Sequence, residues 1–208
     1  MTAKLKYLPI LAILFLTSPV WASNKHQGSG KHKAAATHTY KLDASHSRLG
    51  FKVAHLGITS VSGHFKNFEG SLKFEGKTPV SAEASLKVTS VFTDNEKRDK
   101  HLKADDFFGE TSHPIIKFKS KKVHLKGKEI TMIGDLTIRN VTKSVTLKGS
   151  FGGVVYVDAW KVHKTGMSLK GKINRQDFGL KFNQFLGTGE AMVGDEVELI
   201  IDLEANRS

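Results

Sequence analysis

Apolar and polar residues alternate with a period of two over most of the chain beyond residue 38. Leu49, Phe51 and Val53 alternate with Gly50, Lys52 and Ala54, and Ala82, Ala84, Leu86 and Val88 with Glu83, Ser85, Lys87 and Thr89. Met132, Leu136 and Ile138 stand opposite Thr131, Asp135 and Thr137, with Gly134 on the apolar side. Val145 and Leu147 lead to Phe151, and Val197, Leu199, Ile201 and Leu203 close the series. Each pattern predicts a strand with one dry face. Turn-forming clusters separate them at Glu75-Gly76-Lys77, Lys126-Gly127-Lys128, Gly152-Gly153 and Val193-Gly194-Asp195. Strands at this spacing predict an antiparallel sandwich or barrel.

One segment breaks the alternation. Thr93-Asp94-Asn95-Glu96 fits a capping box, with Thr93 as the cap and Glu96 reaching back. It predicts a short, mostly polar helix over Asn95 to Ala104. Pro114 disfavours helix at His113, and alternation resumes at Ile116 and Phe118.

The N-terminus carries a different pattern. Lys4 and Lys6 precede a ten-residue apolar run from Tyr7 to Leu16, and Val20-Trp21-Ala22 offers small residues at the peptidase positions. Residues 1–22 are therefore expected to be a signal peptide cut between Ala22 and Ser23. Ten residues span only about 15 Å as a helix, half of a hydrocarbon core, which disfavours an uncleaved anchor. Residues 23–37 lack apolar periodicity and read as a flexible linker, leaving residues 38–208 as one domain.

Composition narrows the picture. The 208 residues are 39% hydrophobic and 25% charged, close to a soluble globular chain. Cysteine is absent, which removes disulfides, thiolate metal sites and a cysteine nucleophile. The net charge of +12 becomes +10 once residues 1–22 are gone. For an exported chain this favours anionic lipid or phosphate over nucleic acid as a partner, although a solvated surface is the commoner use. Thirteen Phe against three Tyr and two Trp point to a large dry interior. Phe51, Phe65, Phe74, Phe118 and Phe151 fall on inward positions, where they serve as ordinary core or as the lining of a slender cavity.

Catalytic and metal signals are weak. Asp43, Ser45, His46 and Ser47 are neighbours in sequence, but in a strand adjacent residues face opposite ways and no nucleophile elbow surrounds them. His46, His55 and His64 recur every nine residues, a spacing that also alternates faces, and no metal is expected. Gly28-Ser29-Gly30-Lys31 and Gly187-Thr188-Gly189 lack the spacing of phosphate-binding loops. Arg98 and Asp99 lie on the expected helix beside Phe107-Phe108, where Arg98 serves as a head-group contact or a structural ion-pair partner; Arg175 and Asp177 offer the same two options.

Several blocks, in order, resemble the YceI-like proteins. They are Leu42-Asp43-Ala44-Ser45-His46-Ser47 with Phe51-Lys52-Val53-Ala54-His55, then Gly63-His64-Phe65, Phe68-Glu69-Gly70, Arg98-Asp99-Lys100-His101-Leu102 and Asp106-Phe107-Phe108. Ile116-Lys117-Phe118-Lys119-Ser120, Gly134-Asp135-Leu136-Thr137-Ile138, Ile173 to Leu180 and Val193 to Val197 complete the set, covering roughly Thr39 to Ala205. Asn140, Ser144 and Gly109 stand where the family usually has glycine, proline and an acidic residue.

The resemblance implies an all-β fold: an extended lipocalin-like antiparallel barrel of about eight strands with one short helix. It further implies export to the periplasm and a non-catalytic role, holding a polyisoprenoid such as a polyprenyl or quinone tail. Phe51, Val53, Phe65, Phe118, Leu136 and Phe182 are the expected tunnel lining, with Arg98 and nearby lysines at a polar head. No cofactor is expected beyond that lipid. An anionic membrane surface and a second copy of the chain, as a homodimer, are further candidate partners. The alternative is a stress-response or structural barrel with a filled interior, acting through its basic surface. A hydrolase built on His46 and Ser47 is the weakest reading.

Overall fold

The computed structural model describes residues 35–208 apart from 188 and 190. The expected signal peptide, and the linker as far as residue 34, lie outside the described residues. Among the described residues eleven strands and one α-helix follow in order. They are β1 (Thr37–Leu42), β2 (Arg48–His55), β3 (Thr59–Phe65), β4 (Phe68–Glu75), β5 (Thr78–Lys87), β6 (Val91–Phe92), α1 (Glu96–Lys103), β7 (Ile115–Lys126), β8 (Glu129–Ile138), β9 (Val141–Val157), β10 (Val162–Asn174) and β11 (Val193–Arg207).

Eight strands close a ring in the order β1-β4-β5-β7-β8-β9-β10-β11, all antiparallel, sealed by β1 against β11. Among the described residues the fold is thus an all-β barrel with a single α-helix. β11 makes the closure uneven. Its C-terminal end pairs with β1 from Leu42↔Ala205 to Tyr40↔Arg207, whereas Val193 and Val197 to Asp202 pair with β2. β3 and then β6 continue outward from β2. The ring is therefore closed at one end, and at the other its wall is continued by the β2–β3 hairpin.

β8 illustrates how the pattern becomes a wall. Ile130, Met132, Gly134, Leu136 and Ile138 are buried, and the residues between them are partly exposed. Two core clusters divide the interior. The first stacks Tyr40 on Phe74 at 4.7 Å and Phe74 near Phe151 at 6.0 Å, with Ile130, Met132, Met167 and Ala205 around them. The second gathers Phe65, Val88, Val91, Ile116, Leu136, Ile138 and Phe178 nearer the other end. Phe74 and Phe151 face inward as the alternation predicts, but they pack as a floor.

α1 corrects one detail. Asn95, not Thr93, is its cap, accepting the Arg98 N–H at 3.0 Å. The chain turns through a left-handed conformation at Asp94 (φ 59), which starts the helix later and turns Thr93 inward. There the Thr93 N–H and hydroxyl both donate to Asp99 Oδ1, at 2.9 and 2.6 Å. A buried carboxylate is expensive unless hydrogen-bonded, and this pair of bonds satisfies Asp99.

The three departures from the family pattern fit their places. Arg139 and Asn140 form the two-residue β8–β9 turn at φ 51 and 63, a left-handed position that asparagine tolerates. Gly109 has φ 64. Ser144 sits on the half of β9 that pairs with β8 alone, since β10 joins β9 only from Lys148 onward.

Gly134 is required by a neighbour. A Cβ there would lie 2.6 Å from the Lys119 carbonyl oxygen and 2.7 Å from the Phe118 ring, so the ring rests on bare backbone. Gly134→Ala is expected to destabilise the barrel by about 1–3 kcal/mol through overpacking, read as a lowered urea midpoint with an unchanged slope.

Candidate functional site

The alternating faces of the barrel do not all meet in packed core. Between the floor and α1 lies a cavity of about 490 Å³. Its wall is drawn from every strand of the ring and from β2 and β3, and its upper part from α1 and the segment after β10. Sites for small ligands run from about 300 to 1,000 Å³, mostly apolar with a few polar groups. This cavity has that character. Phe51, Val53, Val61, Phe118, Leu199 and Ile201 point inward yet are only partly buried, because they face the cavity. Met132, Leu147 and Leu169 form its deep end, directly above the Tyr40–Phe74–Phe151 floor.

All seven residues expected at the site stand on the cavity wall. Phe51 and Val53 come from β2, Phe65 from β3, Arg98 from α1, Phe118 from β7, Leu136 from β8 and Phe182 from the segment after β10. Bare backbone shapes the wall at two places. The Phe51 ring lies over Gly63, where a Cβ would come within 2.5 Å of it, and the Phe118 ring lies over Gly134.

The upper rim carries groups that periodicity did not assign. His101 packs edge-on against Phe107 at 4.9 Å and Phe182 at 4.6 Å, and its Nε2 lies 2.8 Å from Asp106 Oδ2. Phe107 and Phe182 are 4.8 Å apart, and Phe108 meets Phe65 at 5.8 Å. Phe107, Phe108, Leu180 and Met192 also line the cavity. The Phe107-Phe108 doublet was the available signal, but its loop has no period to say which way it faces. The β11 alternation, Val197 to Leu203, was legible as a dry face and supplies much of the wall.

The two arginines divide the options between them. Arg175 is buried, and its guanidinium donates to the carbonyls of Gly194 (2.9 Å), Phe182 (2.8 Å), Val193 (3.3 Å) and Leu180, and to Asp195 Oδ1 (3.0 Å). Burial pushes its pKa down from the ordinary value while Asp195 pulls it up. It is a staple that holds residues 180–182 against the start of β11. Asp177 is exposed. Arg98 is only half-buried and uses Nε and Nη2 on Thr93 Oγ1 (2.8 Å) and the Thr93 carbonyl (2.6 Å). Five N–H donors on a guanidinium leave Arg98 with capacity at the cavity.

The rejected triad residues do come together, because they lie in the β1–β2 turn and not in a strand. Ser45 Oγ donates to Asp43 Oδ1 at 2.6 Å, while His46 Nδ1 lies 3.1 Å from both Ser45 Oγ and Asp43 Oδ2. A relay needs the hydroxyl and the carboxylate on opposite ring nitrogens. Here both meet Nδ1, so the arrangement is not that of a triad. Ser47 turns away to bridge the backbone of Glu204.

Asp43, His46 and Glu204 place three ligand-type atoms within 4.8 Å of one another. Lys164 Nζ already sits among them, 2.5 Å from Glu204 Oε1 and 3.6 Å from Asp43 Oδ2. The ammonium pairs with both carboxylates and makes the group an ion-pair clamp between the β1–β2 turn, β10 and β11. His55 and His64 stand elsewhere. His55 lines the cavity, and His64 packs edge-on against Phe92, its pKa pushed down by burial and by Arg48 and Lys66.

A family model for the YceI-like domain matches residues 40–205. Protein YceI of Shigella flexneri is 35% identical over 175 residues, covering 82% of this chain and 88% of its own. UPF0312 protein plu2095 of Photorhabdus laumondii is 34% identical over 178 residues, covering 84% and 89%. Among solved structures, a YCEI protein of Campylobacter jejuni is 33% identical with a TM-score of 0.64, covering 74% of this chain and 90% of that one. A polyisoprenoid binding domain from Saccharophagus degradans has the same fold at 15% identity, with a TM-score of 0.59 and coverage of 81% and 98%.

Two outcomes test these assignments. Arg175→Met strands four carbonyls and is expected to cost about 2–4 kcal/mol, with faster amide exchange over residues 180–195 before other regions. Hydrogen bonding by Ser45, ahead of His46 and Asn206, holds the Asp43 carboxyl well below its usual range despite some burial. A depressed folded pKa adds stability above about pH 4 that is lost as pH falls below it. Thermal melts of Asp43→Asn are therefore expected to start lower at neutral pH and to fall less between about pH 4 and pH 2 than those of the parent.

Proposed function

The chain belongs to the YceI-like domain family, and from that premise we propose that it is an exported binding protein, not a catalyst, which holds a polyisoprenoid or similarly long lipid chain. The observation that carries this reading is the apolar cavity of about 490 Å³ bounded by the floor below and α1 above. A slender branched hydrocarbon suits a wall made of Phe, Leu, Val, Ile and Met side chains. Its binding would draw on apolar area removed from water, about 25 cal/mol per Å², less the cost of ordering a flexible tail. The fold relative named as a polyisoprenoid binding domain supports the same ligand class.

Polarity gives the ligand a direction. The deep end offers Met132, Leu147 and Leu169, whereas Arg98, His101 and Gln184 lie toward the upper end. The tail belongs at the floor and the head beside α1, where Arg98 supplies a planar cationic donor. Release into the periplasm after cleavage between Ala22 and Ser23 belongs to the same proposal, resting on the N-terminal pattern. The filled-barrel alternative describes the floor but not the space above it.

Phe118→Glu places a carboxylate on the cavity wall, where ionisation without a partner is costly. The parent, purified without detergent, is expected to yield an isoprenoid on organic extraction, and the folded variant none. Equal lipid in the folded variant and the parent would sink the tunnel assignment.

A further inference from the structure

Two exposed apolar side chains flank the upper end of the cavity. Ile58, in the β2–β3 turn, is 85% exposed, and Phe185, in the segment between β10 and β11, is 71% exposed. They are brought together through one residue. The Met192 carbonyl accepts the Leu56 N–H at 2.8 Å, and the Met192 N–H donates to the Gln184 carbonyl at 2.8 Å. Phe185 adds a bridge to Ala191. His55, Gln184 and Met192 themselves line the cavity, so both side chains stand within three residues of its wall.

Charge is sparse at both tips. Leu56 to Gly63 contains no Asp, Glu, Lys or Arg, and over residues 181–190 the charged residues are Lys181 and Glu190 at the two ends, in a chain where a quarter of residues are charged. The outer barrel wall is the opposite: Lys117, Lys119, Lys121, Lys122 and Lys126 are all exposed on β7. Leu56 also holds a left-handed backbone at φ 59, a conformation that asparagine or glycine adopts more readily. An apolar residue is placed there against local preference.

We propose that these two tips form a membrane-docking rim, by which the protein seats the upper end of its cavity on a lipid bilayer. The inference rests on the tunnel reading above. A long isoprenoid resides in the bilayer, and drawing it through water would expose its whole apolar surface. Sinking Ile58 and Phe185 into the interface joins the hydrocarbon phase to the cavity at a place with few charged neighbours in sequence, and charge is what makes such an insertion expensive. The occupant is therefore the bilayer itself. The exposed Val155, Tyr156 and Trp160 lie at the β9–β10 connection, around the opposite end of the barrel, where the packed floor separates them from the cavity.

The test uses the purified protein and a fluorescently labelled polyprenol, offered from detergent micelles and from phosphatidylethanolamine–phosphatidylglycerol vesicles. The double variant Ile58→Ser, Phe185→Ser is expected to bind micellar polyprenol as the parent does. Its extraction from vesicles is expected to be about tenfold slower or more, the size of one lost apolar anchor. A Tyr156→Ser, Trp160→Ser variant is expected to extract at the parental rate. Equal vesicle rates for the rim variant and the parent would overturn the docking proposal while leaving the tunnel intact. Slowing by the Tyr156/Trp160 variant instead would overturn it by moving docking to the other end. Failure of the parent to take polyprenol even from micelles would overturn the tunnel reading, and the rim with it.

Discussion

The structure depends on how one strand is shared. β11 runs for fifteen residues and keeps β10 along one side, but its other side is divided between β2 and β1. A sheet must either close or protect its edges. Here closure is complete only where β1 meets the last residues of β11. Beyond that point the β2–β3 hairpin continues the wall. The closed end can be packed solid by Tyr40, Phe74 and Phe151, while the extended end must span more space than its side chains fill. Floor and cavity follow from one division of hydrogen-bonding partners.

Polar groups at the cavity's upper end are spent mainly on holding that end together. Arg175 joins the segment after β10 to the start of β11, and Thr93 is gripped by both Arg98 and Asp99. Buried donors and acceptors of this kind are costly when unpaired, so they fix the geometry of the apolar wall around them. Arg139 extends the same logic by donating to the carbonyls of Asp105 and Phe107, tying the loop after α1 to the β8–β9 turn. Arg98 differs in being half-buried with donors to spare, which is why it and not Arg175 suits a ligand head.

The strands and the inward faces of the barrel were legible because burial on one face imposes a period of two. β8 and β11 could be read residue by residue, and so could the positions of Phe51, Phe65 and Phe118. Ring closure was not legible from pattern, since alternation does not say which strands pair; it entered through the family resemblance. Two local misreadings have one cause. Thr93 looked like a helix cap and Asp43 to Ser47 looked like strand, because a left-handed residue or a tight turn redirects side chains without altering composition. Asp94 at φ 59 and the turn after β1 did this. The rim was hardest to see: Ile58 and Phe185 are far apart in sequence and meet only through the backbone of Met192.

The floor sets what the cavity can hold. Tyr40, Phe74 and Phe151 are fully or almost fully buried and pack ring against ring, so a ligand cannot thread the barrel from end to end without displacing them. Displacing even one such ring would cost several kcal/mol, comparable with the gain from burying a few more methylenes. If the cavity takes a long chain, as proposed, that chain must enter and end at the same side, with its far tip against Met132, Leu147 and Leu169. Any length beyond the cavity's depth is left at the rim. There Ile58 and Phe185 would offer emerging hydrocarbon apolar side chains to meet. The barrel's asymmetry would thus give such a chain a fixed polarity: tail inward, head and surplus length toward the rim.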